Sequence, residues 1–353
     1  MTTTRYSYKD LLAFATELGA KAGLPKDRAQ TQATILLEGD LMGHTTHGLA
    51  LLPGLLGGIE SGAIRATGEP VRVSDRGSTM LWDADRLPGT WVLTRAIAEA
   101  ASRVDKHPVV TVVLNHMTHI AALGAYLRQA TERGLVITIM NSDPSMRTVV
   151  PPGGAEPQLA ANPLAFGYPT QGDPVLIDIS TSAVANGWVR RWNAEKKKLP
   201  GKWLVDAKGQ LSDDPAAFFG PPAGAMLPLG GADMGHKGFA LGLMVEVLTA
   251  GLSGVGRASD PKGSDGTPVF LQVVDPDAFA GKDALRKETS WLAQACRGSK
   301  ALEPGKKVRM PGDAAMAARR RQIEKGVDLY PSIFPELGKW ADKLGLSAPQ
   351  PLH

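Results

Sequence analysis

The strongest constraint on the fold is a strand–helix–strand pattern in the middle of the chain. Val109 to Leu114 is a β-branched, apolar run that predicts a buried strand. Ile120 to Arg133 has helical spacing, and Gly134 ends that helix before a second apolar run, Leu135 to Met140. Strand, helix and strand in so short a segment predict a parallel, right-handed βαβ crossover. The sequence therefore indicates an α/β protein.

The composition indicates which class of protein this is. Of the 353 residues, 43% are hydrophobic and 21% are charged, which is typical of a globular protein with about two or three structural units. A net charge of +4 is too small to indicate a nucleic-acid surface. The N-terminal residues lack an apolar signal segment, and no apolar run reaches the ~18 residues of a membrane span. Cys296, the one cysteine, fits a reducing compartment. We expect a cytoplasmic protein that binds a small molecule, not nucleic acid or membrane.

Two short histidine pairs are the best candidates for chemistry. His44 and His47 lie within Gly43 to Gly48, and His116 and His119 lie where the first predicted strand turns into its helix. Histidine exchanges protons near neutral pH, and ligands commonly bind at the carboxyl ends of strands in α/β sheets. Packing in the core is the alternative for each pair. Two pairs in turn-like surroundings favour proton transfer.

Other kinds of site have weaker sequence support. The histidines could hold a zinc-like ion, but they lack the HExxH form and a cysteine partner, so we predict no metal. The chain has no GxGxxG motif anchored on a strand, no Walker motif and no GxSxG elbow. Gly230 to Gly238, which includes Lys237, is either an anion-binding turn or a plain helix entry. Residues 256–268 have the polar composition of a mobile loop.

A series of short motifs runs in order through nearly the whole chain. They are Gly43-His44-Thr45-Thr46-His47-Gly48, Asn115 to Tyr126, Asn141-Ser142, Gly153-Gly154, Asn162-Pro163-Leu164-Ala165-Phe166, Asp178-Ile179-Ser180-Thr181-Ser182, Leu227-Pro228-Leu229-Gly230-Gly231, Lys237-Gly238-Phe239 and Pro311-Gly312-Asp313. No single motif is specific to one protein family, but the order and spacing of all of them together are. Together they resemble the type 2 malate/L-lactate dehydrogenase-like oxidoreductases, which include ureidoglycolate and sulfolactate dehydrogenases, 2,3-diketogulonate reductase and Δ1-piperideine-2-carboxylate reductase.

The resemblance implies a fold and a reaction. The fold would be α/β, with a non-Rossmann NAD(P)-binding domain built on a mixed, mostly antiparallel sheet, plus a helical N- and C-terminal domain. We place the helical, substrate and dimerisation region at residues 1–110 with 290–353, and the cofactor-binding domain at 111–289. The reaction would be hydride transfer between NAD or NADP and a C=O or C=N carbon next to a carboxylate. The resemblance also implies a homodimer.

The resemblance also implies roles for particular residues. His47 matches the proton donor or acceptor, and Thr46 stands where the family usually has a serine in a hydrogen-bonded relay. His119 matches a histidine that is a proton acceptor in some members and part of the cofactor wall in others. The implied cofactor contacts are His119, Ser142, Asp178, Ile179, Ser180, Lys237, Pro311, Gly312 and Asp313.

Three substrate-side positions depart from the family pattern. Leu51 replaces an arginine that pairs with the substrate carboxylate, and leucine has no group that can make that contact. Ala161 replaces a threonine that contacts substrate. Trp188 stands where imine-reducing members have an aspartate and others have a charged or polar residue. We therefore expect an unusually apolar pocket for a bulkier or less charged substrate.

Two questions stay open at the level of sequence. The first is whether another arginine replaces the missing one, and Arg147, Arg190 and Arg191 are the candidates. The second is whether the chain has kept its catalysis. The alternatives are a member of the same fold that binds a nucleotide or metabolite without turnover, or a histidine-based metalloenzyme.

Overall fold

The computed structural model describes residues 4–259 and 266–352. The strands are β1 (Thr4–Tyr6), β2 (Val71–Asp75), β3 (Thr79–Asp83), β4 (Val109–Met117), β5 (Val136–Asn141), β6 (Leu164–Tyr168), β7 (Val175–Ile179), β8 (Leu204–Val205), β9 (Leu211–Ser212), β10 (Ala225–Met226), β11 (Thr267–Val274) and β12 (Val327–Leu329). The helices are α1 (Tyr8–Lys21), α2 (Lys26–Leu41), α3 (Leu52–Glu60), α4 (Gly89–Ser102), α5 (Gly124–Thr131), α6 (Asn186–Ala194), α7 (Gly231–Glu246), α8 (Lys282–Arg297), α9 (Asp313–Lys325) and α10 (Ile333–Leu344).

Short helical turns complete the description. They are the 3₁₀ turns Leu49–Leu51, Pro215–Phe218 and Pro276–Ala278, and a π-helical segment, Val247–Gly251, that continues α7. Among the described helices, none is long and apolar enough to cross a membrane. The polar loop predicted at residues 256–268 is described only in part, because 260–265 lie outside the described residues.

The centre of the molecule is a seven-stranded sheet with the order β2-β3-β4-β11-β5-β6-β7. The β3–β4 pairing is parallel, whereas β2–β3, β4–β11, β11–β5, β5–β6 and β6–β7 are antiparallel. A mixed sheet surrounded by helices confirms the predicted α/β class. Two smaller sheets pair β1 with β12 and join β10, β8 and β9.

The predicted strand–helix–strand unit exists, but its two strands are not neighbours. Both β4 and β5 are antiparallel to β11, so they point the same way with β11 between them. The predicted parallel direction of the two strands is therefore confirmed, although β11 lies between them. The apolar run of β11 is supplied from more than a hundred residues further along the chain, and local periodicity carries no information about such a partner.

The helix of this unit also begins later than predicted. It starts at Gly124 and not at Ile120, because the intervening turn has its own hydrogen bonds. Ala121, with φ of 62°, donates its N–H to His119 Nδ1 at 2.9 Å. The Tyr126 hydroxyl, which is fully buried, donates to the Ile120 carbonyl at 2.6 Å. The delayed start leaves residues 118–123 as an ordered loop.

Both faces of the sheet are covered. Val112 and Leu114 of β4 belong to a large core that also contains buried residues of α1, α2, α4 and α5. Val113, between them, points to the opposite face and packs with Phe270 and with Val245 of α7. This alternation is the period-two pattern of a strand that is buried on both sides.

The two ends of the chain lie together. β1 pairs with β12, and α10 contacts α1 and α3. However, residues 71–83 form β2 and β3 of the large sheet, so part of the segment 1–110 contributes to the sheet. The functional division at residue 110 stays a prediction.

Candidate active site

A cavity of about 290 Å³ opens at one edge of the large sheet. Since β4, β5 and β7 run parallel to one another and antiparallel to β6 and β11, the first three end at this edge and the other two begin there. The residues after β4 and β5, before β6 and at the end of β7 line the cavity, together with residues 43–47 and the start of α6. One edge thus gathers residues that are distant in sequence.

His47 lies in this cavity with two polar neighbours. Its Nδ1 is 2.8 Å from the Thr46 hydroxyl oxygen, and its ring centroid is 6.0 Å from that of His119. Asp178 is close enough to interact electrostatically with His47. Because Thr46 engages Nδ1, Nε2 is the ring nitrogen left for a ligand.

The loop that carries His44 and His47 is held from beneath by Asp40, near the end of α2. Asp40 is completely buried, and its Oδ2 accepts the N–H of Leu49 at 2.7 Å. Its carboxyl group also packs against the backbone of Gly48, where a Cβ would lie only 2.3 Å from Asp40 Cγ. A glycine directly after His47 is therefore required by packing.

Arg191 of α6 holds the same loop from the other side. Its Nη1 donates to the Thr45 hydroxyl at 2.8 Å, and its Nη2 donates to the Thr45 carbonyl at 3.3 Å. The guanidinium lies 3.8 Å from the centroid of the Tyr330 ring, a cation–π arrangement. Arg191 was a candidate for holding a substrate carboxylate, but two of its N–H groups bond Thr45 and the residue is not among those that line the cavity.

The protein environment shifts the pKa values of these groups. Desolvation lowers the pKa of His47 to about 4, and His119 adds to the effect while Asp178 opposes it. His119 exposes its ring to the cavity, yet the surrounding walls desolvate it and lower its pKa as well. Burial raises the pKa of Asp40 to about 7, although the hydrogen bond from Leu49 and the charge of Arg191 both act to lower it. Both imidazoles are therefore largely uncharged at neutral pH.

Of the second histidine pair, only His119 lines the cavity. His119 lines the cavity, and its Nδ1 accepts the Ala121 N–H, so the neutral ring carries its proton on Nε2. His116, next to the last residue of β4, lies outside the cavity with its Nδ1 2.9 Å from Asp83 Oδ2. Spacing alone could not separate these two roles.

The structure brings some of the predicted site residues together and leaves others apart. The predicted residues that line the cavity are Thr46, His47, His119, Ala161, Asp178, Ile179, Ser180 and Trp188. The predicted residues that do not line it are Leu51, Ser142, Lys237 and Pro311 to Asp313.

The predicted residues outside the cavity have other surroundings. Ser142 is buried and accepts a hydrogen bond from Thr249 at 2.8 Å. Lys237 is exposed on α7, and Asp313 pairs with Arg297 at 2.6 Å. Leu51 packs against the large core. Their predicted contacts with cofactor or substrate stay predictions.

Sequence reasoning missed several polar residues at this site. Asp143, Asn162 and Asn186 line the cavity, and Asp40 lies beneath the histidine loop. The Asn162-Pro163 turn was noticed as a motif, but nothing in the sequence gave the asparagine a role. Within the described residues, no three His, Cys, Asp or Glu side chains form a set that could hold a metal ion.

Comparison with known proteins identifies the family. The family model for malate/L-lactate dehydrogenase matches residues 6–338. An L-lactate dehydrogenase of Cupriavidus necator is 29% identical over 99% of this chain and 98% of its own. A Δ1-pyrroline-2-carboxylate reductase of Agrobacterium fabrum is 30% identical, with 98% and 99% covered. The solved malate dehydrogenase of Pyrococcus horikoshii superimposes with a TM-score of 0.89 at 25% identity, covering 98% of this chain and 97% of that one.

The chain therefore belongs to the malate/L-lactate dehydrogenase family. This confirms the resemblance inferred from the motifs and, with it, the expected class of enzyme, an oxidoreductase. The relatives include both a dehydrogenase of a hydroxy acid and a reductase of a cyclic imino acid.

The packing of Gly48 gives a direct test of how the loop is held. We predict that Gly48→Ala lowers the unfolding free energy by about 1–3 kcal/mol through overpacking against Asp40. Gly54→Ala in α3 is the control, because a Cβ there meets nothing within 4 Å and alanine favours the helix by about 0.5–1 kcal/mol. Urea denaturation measures both. Equal stability of the two variants would contradict the prediction.

Proposed function

We propose that this protein is an NAD(P)-dependent oxidoreductase that acts on a 2-oxo or 2-hydroxy acid or a cyclic 2-imino acid, with His47 as proton donor or acceptor. The observation that carries the proposal is the Thr46–His47 hydrogen bond beside His119 in a cavity at the sheet edge. The family relatives support the reaction class.

The residues of the cavity fit a nicotinamide cofactor. Ile179, 40% exposed at the end of β7, offers an apolar surface for a flat ring. The buried Oδ1 of Asn186 accepts no hydrogen bond within the described chain, and a carboxamide N–H would satisfy it. When bound, the nicotinamide supplies or removes two electrons and one hydrogen.

The cofactor contacts lie mainly in the sheet-containing part of the chain under this proposal. Ser142, Asp178 to Ser180 and Lys237 fall within residues 111–289, and Pro311 to Asp313 follow them. The mixed sheet would then form a non-Rossmann nucleotide-binding domain, with the chain ends as the helical domain. The single cysteine fits the proposed cytoplasmic location.

His47 is the group that moves a proton in this proposal. Carbonyl reduction builds negative charge on oxygen, and a proton from His47 Nε2 neutralises it; in the reverse direction the neutral ring accepts that proton. Thr46 orients the ring through Nδ1, as the family serine would. Ala161 and Trp188 give the substrate side an apolar wall, which suits a bulkier or less charged substrate than lactate.

The roles of His47 and Thr46 predict two different variant phenotypes. Since general acid–base catalysis contributes about 10²–10⁴-fold, His47→Ala should lose turnover by that factor. Thr46→Ser should retain activity, whereas the nearly isosteric Thr46→Val should lower kcat because it cannot orient Nδ1. Fluorescence titration with NADH and NADPH should show unchanged cofactor affinity in all three.

The controls separate the alternatives. Saturable cofactor binding by the wild type without turnover of any acid or imine would favour a binding protein that has lost catalysis. Full activity of His47→Ala would exclude His47 as the proton carrier. Activity lost to a chelator, with stoichiometric metal after dialysis, would favour the metalloenzyme.

The lowered pKa of His47 predicts opposite pH profiles for the two directions. Oxidation of a hydroxy acid needs neutral His47, so kcat/KM should be level above about pH 5 and fall below pH 4. Carbonyl reduction needs the protonated ring, so kcat/KM should fall about tenfold per pH unit above 4. Rates in both directions between pH 3 and 9 test this. A midpoint near 6.5 would show that the cavity does not desolvate His47.

The exposed face of α7 and its π-helical continuation supports the proposed homodimer. The apolar side chains exposed there are Met234, Leu243, Met244 and Val247, and Leu252 directly follows the π-helical segment; each is at least 40% accessible. A row of this kind is typical of a surface covered by another protein. Light scattering should give the mass of a dimer, and Val247→Glu should give a monomer. A wild-type monomer would contradict the proposal.

A further inference from the structure

Trp188 is the only tryptophan, tyrosine or phenylalanine among the described residues that line the cavity. It lies near the start of α6, and 43% of the residue is exposed. Its position has a charged or polar residue in the family pattern, so the indole is a departure of this chain. A large apolar side chain that is exposed inside a cavity is typical of a surface that a ligand covers.

Trp188 lies next to the proposed proton-transfer residues. Gly187, directly before it, packs against Thr46 so closely that a Cβ there would lie 3.0 Å from the Thr46 Cβ. Thr46 in turn contacts His47 Nδ1. The side chain of a 2-oxo or 2-hydroxy acid is bonded directly to the carbon that exchanges the hydride, so it lies close to His47 in a productive complex. The indole is therefore within reach of that side chain.

Arg191 holds the indole in place from one side. Its guanidinium carbon lies over the Trp188 ring, 5.1 Å from the centroid. Hydrogen bonds to Thr45 and the Tyr330 ring, 3.8 Å away, fix the guanidinium itself. A ring restrained in this way loses little conformational freedom when a ligand binds to its remaining surface. Trp188 thus offers a planar surface that is formed before the ligand arrives.

The other cavity residues favour an aromatic ring over the groups of the smaller acids. The described lining includes Ala160, Ala161 and Met146 but no lysine or arginine. The second carboxylate of malate would find no fixed cation in that lining, and the methyl group of lactate would cover little of the indole. A planar ring covers much more of it and can adopt the offset or edge-to-face geometries that aromatic pairs prefer. The thioether of Met146 also suits contact with such a ring.

We propose that the cavity-facing surface of Trp188 is a subsite for a planar aromatic side chain, and that the substrate is an aromatic 2-oxo acid or the corresponding 2-hydroxy acid. The simplest pair is 3-phenylpyruvate and 3-phenyllactate. A hydride from NADH or NADPH and a proton from His47 convert the first into the second, and the ring is unchanged. This inference rests on the proposed oxidoreductase function and specifies the substrate within it. Trp188 is then the residue that determines specificity.

Binding in a complex that cannot react tests the subsite. Because 3-phenyllactate and NADH or NADPH are both reduced, no hydride is transferred when the two are bound together. Isothermal titration calorimetry of the full-length protein, with and without each reduced cofactor, would compare racemic 3-phenyllactate, 3-cyclohexyllactate and lactate. We expect 3-phenyllactate to bind about tenfold more tightly than lactate, because its ring is buried. It should bind about threefold more tightly than 3-cyclohexyllactate, whose ring has the same number of carbons but is not planar.

Two variants of Trp188 separate aromatic stacking from simple burial. Trp188→Phe keeps an aromatic face, whereas Trp188→Leu keeps only an apolar surface. We expect Trp188→Phe to retain the preference for 3-phenyllactate over 3-cyclohexyllactate and Trp188→Leu to abolish it. Since the residue is 43% exposed, both variants should fold, and thermal unfolding checks this. The comparison of the three acids in the wild type decides the matter if a variant does not fold.

Four results would overturn the subsite. The first is equal affinity of the wild type for 3-phenyllactate and lactate, and the second is no binding of any of the three acids under either condition. The third is a preference for the planar ring that survives in Trp188→Leu. The fourth is a loss of NADH or NADPH affinity in Trp188→Leu as large as the loss for 3-phenyllactate, because this would place the nicotinamide on the indole.

Turnover tests the proposed function separately. Reduction of pyruvate that depends on His47, without a preference for the aromatic acid, would overturn the subsite and leave the oxidoreductase. Binding of 3-phenyllactate that depends on Trp188, with no turnover of any acid or imine, would leave the subsite and remove the oxidoreductase. A kcat/KM for 3-phenylpyruvate about tenfold above that for pyruvate, with the ratio lowered in Trp188→Leu, would support both.

Discussion

The site depends on one buried contact, the hydrogen bond from the Leu49 N–H to the Asp40 carboxylate at 2.7 Å. Asp40 belongs to α2, which packs in the core beneath the large sheet, and Leu49 follows the loop that carries both cavity histidines of the first pair. The contact therefore fixes His47 relative to the sheet edge where His119 lies. Gly48 makes it possible, because only a residue without a Cβ lets the backbone approach the carboxyl group so closely.

Burial gives this part of the molecule its electrostatic character. Desolvation raises the pKa of Asp40 to about 7 and lowers that of His47 to about 4, so both groups favour their neutral forms. Arg191 places a fixed positive charge near the loop. It contacts Tyr330 and also Thr45, which lines the cavity, but Arg191 itself is not among the lining residues.

Sequence reasoning found what short-range patterns determine. The apolar runs of β4 and β5 and the position of His119 after a strand follow from periodicity and turn residues, and the motif order identified the family. It did not find that β11 separates β4 from β5, because that pairing joins segments far apart in the chain. The roles of Asp40, Arg191 and Asn162 were also inaccessible. Each depends on a tertiary partner, namely Leu49, Thr45 and Glu246, that no local pattern specifies.

The proposed proton carrier His47 and the proposed substrate-side residues differ in what holds them. His47 is held by Asp40 and Arg191, and neither of these is among the positions that depart from the family pattern. Ala161 lies on another segment, before β6. Trp188 lies in α6 with Arg191, whose guanidinium is 5.1 Å from the centroid of the Trp188 ring. Leu51 packs against the core outside the cavity, so an arginine lost there removes a charge without opening a void at His47. Under the proposed function, only Ala161 is supported independently of the histidine loop, because Trp188 shares α6 with Arg191.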